Sequence, residues 1–164
     1  MEETRNHADY KEAKIAQTFF KELIQSCMDG DESKFTASMS DYITKNSNVS
    51  LEDVVTEFQS EGKTILHIAS SSGHFGIVKK ILIAFTDTKS IVNKQDDNGF
   101  TPLIYATISE STECMLELLK QGAEVNVKNT DGSAPVHFAA GDGSVDRLQL
   151  LLGMKFSCNL VLLR

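Results

Sequence analysis

The side chains that could do chemistry are few and poorly placed for it. The four histidines, His7, His67, His74 and His137, have no Cys, Asp or Glu partner at metal-ligand spacing, such as an H-E-x-x-H run or a C-x-x-C pair. Ser70-Ser71-Ser72-Gly73 stands close to His67, and a hydroxyl beside an imidazole is the pairing of an acyl-transfer nucleophile. The G-x-S-x-G frame that would lift the serine onto a sharp turn is missing. Asp29, Asp31 and Glu32 open like a calcium loop, but the sixth loop position is Lys34 instead of Gly and the twelfth is Ser40 instead of Glu. Gly141-Asp142-Gly143-Ser144 is not followed by the G-K-[ST] that cradles a phosphate. Asn48-Val49-Ser50 has the form of a glycosylation sequon, which has no use in a chain without a signal peptide. Cys27 and Cys114 fall on apolar helical faces and read as inert core thiols. The expectation is a chain with no catalytic residues, no metal and no cofactor.

The elements around these residues must therefore carry another kind of function. The 164 residues are 41% hydrophobic and 24% charged, ordinary for a folded chain, with a formal net charge of -7. Such a balance disfavours nucleic acid and anionic membrane surfaces as partners, since both attract clustered positive charge. The longest strictly apolar run, Ile81 to Phe85, is far short of a membrane span. The Met1-Glu2-Glu3-Thr4-Arg5 start has no apolar stretch behind it. With Cys158 the cysteines number three, widely spaced, which suits free thiols in a reducing compartment. A cytoplasmic location is expected, with the nucleus as the alternative.

The strongest signal is a repeat. Glu61-Gly62-Lys63-Thr64-Ile65-Leu66-His67-Ile68-Ala69, Asn98-Gly99-Phe100-Thr101-Pro102-Leu103 and Asp131-Gly132-Ser133-Ala134-Pro135-Val136-His137-Phe138-Ala139-Ala140 are three copies of one pattern. Their glycines are 37 and then 33 residues apart, and the extra four residues fall in a loop between Leu82 and Asn93. Glycine after a polar residue supplies the positive φ of a tight turn. Thr64 and Thr101 are N-caps, and proline at the next position has no N–H to leave unpaired. Ala134 replaces the threonine in copy three and forfeits that cap, worth ~1 kcal/mol. A second helix follows in each copy, striped by Ile77, Val78, Ile81 and Leu82, by Met115, Leu116, Leu118 and Leu119, or by Val145, Leu148, Leu151 and Leu152. Each copy then ends on an apolar residue and Asn: Val92-Asn93, Val125-Asn126 and Cys158-Asn159.

In that register the pattern resembles the ankyrin-repeat family over about residues 59 to 164: a turn, a T-P-L-H-x-A helix, a Gly-His turn, a second helix and a V-N pair entering a hairpin. It departs where Ile65 replaces the proline, Ile104 the histidine, and Glu110-Ser111 the Gly-His turn. The fold class implied is all-α, an ankyrin-repeat solenoid of helix pairs joined by hairpin loops. The boundaries expected are a disordered tail at 1–9, a degenerate N-terminal helical pair at 10–45 acting as a capping repeat, and an insertion with a short helix at 46–59. Repeats at 60–95, 96–128 and 129–164 follow, the last truncated at the next hairpin. The N-terminal pair rests on stripes of Ile15, Phe19, Leu23, Ile24 and Cys27, then Phe35, Met39, Tyr42 and Ile43. The insertion carries Ser50 with Asp53 as a capping box and Leu51, Val54, Val55 and Phe58 on one face. Leu160 to Leu163 form an apolar end, read either as the cut edge of a longer protein or as a self-association surface.

The resemblance also implies what the chain does. His67, His74 and His137 take structural hydrogen-bonding roles at helix starts and turns. Hairpin tips and first helices line a concave groove that binds another protein. Carried onto this sequence, the groove takes Ser60, Glu61, Lys63, Ser71 and Ser72 from copy one, Asp97, Asn98, Phe100, Ile108 and Ser109 from copy two, and Thr130, Asp131, Ser133, Gly141 and Asp142 from copy three. Phe100 and Ile108 are apolar where solvent is expected and would anchor a partner, unless Phe100 folds back on the neighbouring hairpin. The ring of Glu61, Asp97, Asp131 and Asp142 would suit a partner with a basic rim and an apolar knob. The expected function is a non-enzymatic scaffold or adaptor. The alternative is an N-terminal regulatory or targeting domain of a larger protein whose effector follows residue 164.

Overall fold

The computed structural model describes residues 17–46, 61–85 and 88–161, the last eight of these as backbone only. The tail at 1–9, Ile15, the short helix in the 46–59 insertion, Ser60, Leu162 and Leu163 lie outside what it describes, as do the side chains of Cys158, Leu160 and Val161.

Helix α1 covers residues 17–29 and α2 covers Glu32–Lys45, with Asp31 accepting from the Lys34 N–H at 2.8 Å as N-cap. The stripes read from the sequence face each other: Phe19, Leu23 and Cys27 are buried with Phe35 and Met39, and the Phe19 ring stacks on Tyr42 at 4.0 Å. Three further helix pairs follow. Copy one holds α3 (Ile65–Ser71) and α4 (Phe75–Ile83). After it comes the single turn α5 (Lys89–Val92). Copy two holds α6 (Pro102–Ile108) and α7 (Thr112–Lys120). Copy three holds α8 (Pro135–Gly141) and α9 (Val145–Val161). No strand occurs among the described residues.

First helices pack on first helices, α3 on α6 and α6 on α8, and second helices on second helices, α4 on α7 and α7 on α9. One apolar core consequently runs from Phe19 through Leu23, Ile65, Ile81, Leu103 and Leu118 to Leu151. No unit buries its face alone, which is the physics of a stacked repeat. Turns recur in register as well. The helix-to-helix turn takes a positive φ at Gly30, Gly73, Glu110 and Gly143, so copy two holds a glutamate at φ 60 where the others hold glycine. The hairpins take theirs at Gly62, Gly99 and Gly132, the glycines of the sequence pattern.

Four expectations need correction. The extra residues before Asn93 are not simply a loop: Thr88 accepts from Ile91 and Val92, and the resulting turn α5 buries both side chains. Leu116 is not on the buried stripe of α7; Cys114 takes that place, fully buried. In copy three Val145 is 61% exposed, as Thr112 is exposed at the same place in copy two, and Leu152 is 44% exposed because no further helix pair packs on that side among the described residues. Finally, α9 continues through Cys158-Asn159 instead of breaking ahead of a hairpin. The two copies differ at the residue that follows the helix. Gly122 ends the second helix of copy two at φ 92, a conformation costly for side chains with a Cβ. Thirty-three residues on stands Lys155, whereas in copy one Phe85 holds the matching place and α4 still ends at Ile83.

Candidate functional site

The geometry begins at the starts of the three first helices, which set where the hairpins sit. In copy one the Thr64 backbone N–H donates to His67 Nδ1 at 3.0 Å, so Nδ1 is the acceptor and the proton sits on Nε2. Nε2–H then donates to the carbonyls of Lys94, at 2.9 Å, and Phe100, at 3.2 Å, both in the next hairpin. The ring is 1% exposed, and burial holds its pKa below the usual histidine range. Both nitrogens are occupied by backbone groups. His67 is therefore unavailable as a base for Ser70, Ser71 or Ser72, and its role is to tie two copies together. His74 does the same one unit earlier, Nε2 meeting the Met28 carbonyl at 3.1 Å. His137 accepts from the Ala134 N–H at 2.9 Å but is exposed.

Side-chain amides and carboxyls hold the hairpins. Asp96, 6% exposed, accepts from the backbone N–H groups of Asn98 (3.0 Å) and Phe100 (2.8 Å) and from the Tyr105 hydroxyl (2.7 Å). Asn129, thirty-three residues on, accepts from the Asp131 and Ser133 N–H groups in the same way. Neighbouring hairpins are zipped by the Asp97 N–H donating to the Glu61 carbonyl at 3.1 Å and the Thr130 N–H to the Asn98 carbonyl at 3.0 Å. Asn93, of the Val-Asn pair, donates to the Gly122 carbonyl and accepts from the Glu124 N–H.

On this frame the predicted surface residues fall into two groups. At the hairpin end are Glu61, Lys63, Asp97, Asn98, Phe100, Thr130, Asp131 and Ser133. At the far end of the first helices, roughly 10 Å away by the rise of a seven-residue helix, are Ser71, Ser72, Ile108, Ser109, Gly141 and Asp142. Phe100 is half-buried. Its ring lies 5.4 Å from Tyr105 and 5.8 Å from Phe138, on the first helices of its own copy and the next. It thus folds onto helix residues and not onto the neighbouring hairpin. Lys63 sits 5.9 Å over the Tyr105 ring, extending the row to copy one. Ile108 is 43% exposed and flanked by small groups, Ser71 before it and Gly141 after it in the repeat register.

Tyr105 and Phe138 were missed by reading the sequence, although a signal existed. Ile68, Tyr105 and Phe138 stand one residue after the histidine position in each copy, spaced 37 and 33, and all are apolar or aromatic where a helix surface residue is expected. Burial, then the bond to Asp96, pushes the Tyr105 phenol up to about 12, so it stays a neutral donor.

The acidic ring is partly neutralised within the molecule. Glu61 pairs with Lys63 at 3.0 Å, and that contact holds the lysine pKa above its ordinary value. Asp142 pairs with Arg147 at 3.1 Å. Asp97 and Asp131 remain exposed at the hairpin tips. Arg147, 4% exposed, also donates to the Thr107 carbonyl and reaches Glu110 at 4.0 Å. Among the described residues no three of His, Cys, Asp and Glu gather as metal ligands. Burial pushes the Cys27 thiol up to about 12 and raises Cys114 as well, which suppresses the reactive thiolate. No helix among the described residues is long and apolar enough to cross a membrane.

Comparison with known proteins places these features among relatives. A family model described as ankyrin repeats (3 copies) matches residues 18–129, reaching back into the α1–α2 pair. The chain is 36% identical over 93 residues to the nuclear factor NF-kappa-B p105 subunit of Gallus gallus, covering 56% of this chain and 10% of that protein. It is 34% identical over 101 residues to Inversin of Mus musculus, covering 62% and 9%. With the target of rapamycin complex 2 subunit AVO2 of Saccharomyces cerevisiae it shares 28% over 92 residues, covering 56% and 21%. The matched stretch thus spans about a tenth to a fifth of the length of these relatives.

Proposed function

The chain belongs to the ankyrin-repeat family, a family of non-catalytic protein-interaction modules, and from that premise we propose that it is a scaffold or adaptor whose partner docks across the first helices and hairpins of α3, α6 and α8. The observation that carries the reading is the half-buried row of Lys63, Tyr105, Phe100 and Phe138, with the exposed Ile108 at the far end of α6. Aromatic anchors within a polar surround are where interfaces concentrate affinity. The row is already ordered by Asp96 and by ring contacts, so little side-chain entropy is lost on binding. Exposed Asp97 and Asp131 favour a partner with a basic rim, and an apolar side chain of the partner would meet Phe138 and Ile108. A nucleic acid or a membrane surface fits this acidic face poorly. The proposed location is the cytoplasm or nucleus.

A second reading differs in context and not in surface: the repeats act as the N-terminal regulatory or targeting domain of a larger protein. It is favoured by the relatives, each several times longer than the stretch matched. Immunoblotting the endogenous protein for its mass separates the two.

The binding surface is tested by quantitative affinity capture from lysate with wild type, Phe138→Glu/Ile108→Glu, and an exposed-lysine control such as Lys120→Glu, after circular dichroism shows equal folding. The double variant should lose its specific partner by tenfold or more, equivalent to about 1.4 kcal/mol, while the control keeps it. Equal capture by all three would show that the partner binds elsewhere.

A further inference from the structure

The binding surface proposed above already holds one cation. Lys63 Nζ sits 5.9 Å over the Tyr105 ring, and Glu61, on the same hairpin, pairs with it at 3.0 Å. An aromatic face and a carboxylate thus fix one positive charge between copies one and two. One register on, Phe100 takes the place of Lys63, Asn98 that of Glu61 and Phe138 that of Tyr105. The aromatic side is kept, with Phe100 and Phe138 half-buried and their rings 5.8 Å apart. Acid is kept beside it as the exposed Asp97 and Asp131. Their two hairpins are joined by the Thr130 N–H donating to the Asn98 carbonyl at 3.0 Å, so both carboxylates belong to the hairpin end of the row. Among the described residues no Lys, Arg or His pairs with either of them.

On the premise of that binding surface, we propose that the partner supplies the second cation as an arginine, laid on the Phe100–Phe138 pair with its guanidinium toward Asp97 and Asp131. The hairpin end and Ile108 are roughly 10 Å apart, the span of about three residues of an extended segment. The motif recognised is therefore an arginine and an apolar residue about three positions apart in an extended stretch, the apolar one meeting Ile108. Arginine suits the place better than lysine. Its planar guanidinium stacks on a ring and still aims donors at two carboxylates, where an ammonium is a compact, strongly hydrated charge. Its aliphatic stem is the apolar surface that Phe138 meets. A second copy of the chain is a poor source of it. The one arginine among the described residues, Arg147, is 4% exposed and held by the Thr107 carbonyl and Asp142.

The test pans a random-peptide phage library on the full chain and discards clones that also bind Phe138→Glu/Ile108→Glu. The remaining clones should carry an arginine about three positions from an apolar residue, enriched about tenfold or more over the starting library. Enrichment of a pattern without arginine overturns this motif and leaves the binding surface standing. If no clone depends on Phe138 and Ile108, both fall. A second arm measures the Kd of the most enriched peptide by isothermal titration calorimetry. Arginine replaced by lysine in the peptide should weaken binding about fivefold or more, and Asp97→Asn/Asp131→Asn in the protein about tenfold or more. Glu113→Gln/Glu124→Gln makes the same charge change at exposed acids in and after α7 and should leave the Kd within about twofold. Unchanged affinity of the lysine peptide overturns the proposal. So does an equal loss in the two protein variants, which would show that net charge alone attracts the peptide.

Discussion

Ser70 is buried with its hydroxyl unpartnered, although its carbonyl accepts from Ser109 Oγ at 2.8 Å. The corresponding residues show two ways of avoiding this: Thr107 donates to the Leu103 carbonyl at 2.8 Å, and copy three has Ala140. A buried donor left unsatisfied costs its desolvation. Ser70→Ala should therefore stabilise the fold by ~1 kcal/mol, seen in thermal melts as a rise of about 2–4 °C. His67 gives the residue scale its pH dependence. Burial lowers its native pKa, so below the unfolded value of about 6.5 the unfolded chain binds more protons than the native one. The stability from neutral His67 is fully present above that value. It falls as pH drops below 6.5, by up to ~1.4 kcal/mol per unit, until the native pKa is passed. Urea midpoints between pH 7.5 and 5 should decline for wild type and decline less for His67→Gln, which starts lower because it loses the two bonds to the next hairpin. Parallel slopes would mean that other groups carry the acid sensitivity.

At the scale of elements, the three first helices are capped in three different ways. Copy one has both Thr64 and His67 at the helix start. Copy two has only the threonine, Thr101 Oγ1 accepting from the Ile104 N–H at 3.3 Å. Copy three has only the histidine, His137. The loss of the Ala134 cap was legible in the sequence, but His137 partly replaces it by taking the Ala134 N–H. Ala134→Thr should restore the helix N–H acceptor and stabilise by ~0.5–1 kcal/mol, measured by equilibrium denaturation. The site admits a threonine, since Thr64 and Thr101 are buried at the same position. The positions of the helices were legible because glycine, proline and apolar spacing act locally. The end of α9 was not, because the V-N register suggested a hairpin where the helix runs on. Turn α5 was missed for a different reason: four inserted residues are too few to show a period, and only burial of Ile91 and Val92 reveals it.

Over the whole molecule, stability is a sum of units and the contacts between them, so the end of the stack is where one contact counts most. The interface between copies two and three has a charged member the sequence did not disclose. Arg147 reads by type as a surface residue of an amphipathic helix, although its repeat predecessors, Ile77 and Cys114, are fully buried. In the fold it is 4% exposed and closes on the Thr107 carbonyl of copy two, on Asp142 of its own copy and, more distantly, on Glu110. The aromatic row was half legible for a related reason: Phe100 stood out by type, whereas Tyr105 and Phe138 become part of it only when adjacent copies bring their first helices together. Removing Arg147 takes a charged donor from the buried Thr107 carbonyl, which keeps the Glu110 N–H at 3.3 Å, and breaks the pair with Asp142, a loss of ~1–3 kcal/mol. In a globally cooperative domain that cost would appear everywhere. In a stack it should fall on copy three, where Leu152 already lacks packing on one side. Native-state hydrogen exchange of Arg147→Ala should show α8 and the start of α9 opening about 5- to 100-fold more often, with α2, α3 and α4 protected as in wild type. Uniform loss of protection from α2 to α9 would mean instead that the four units unfold as one.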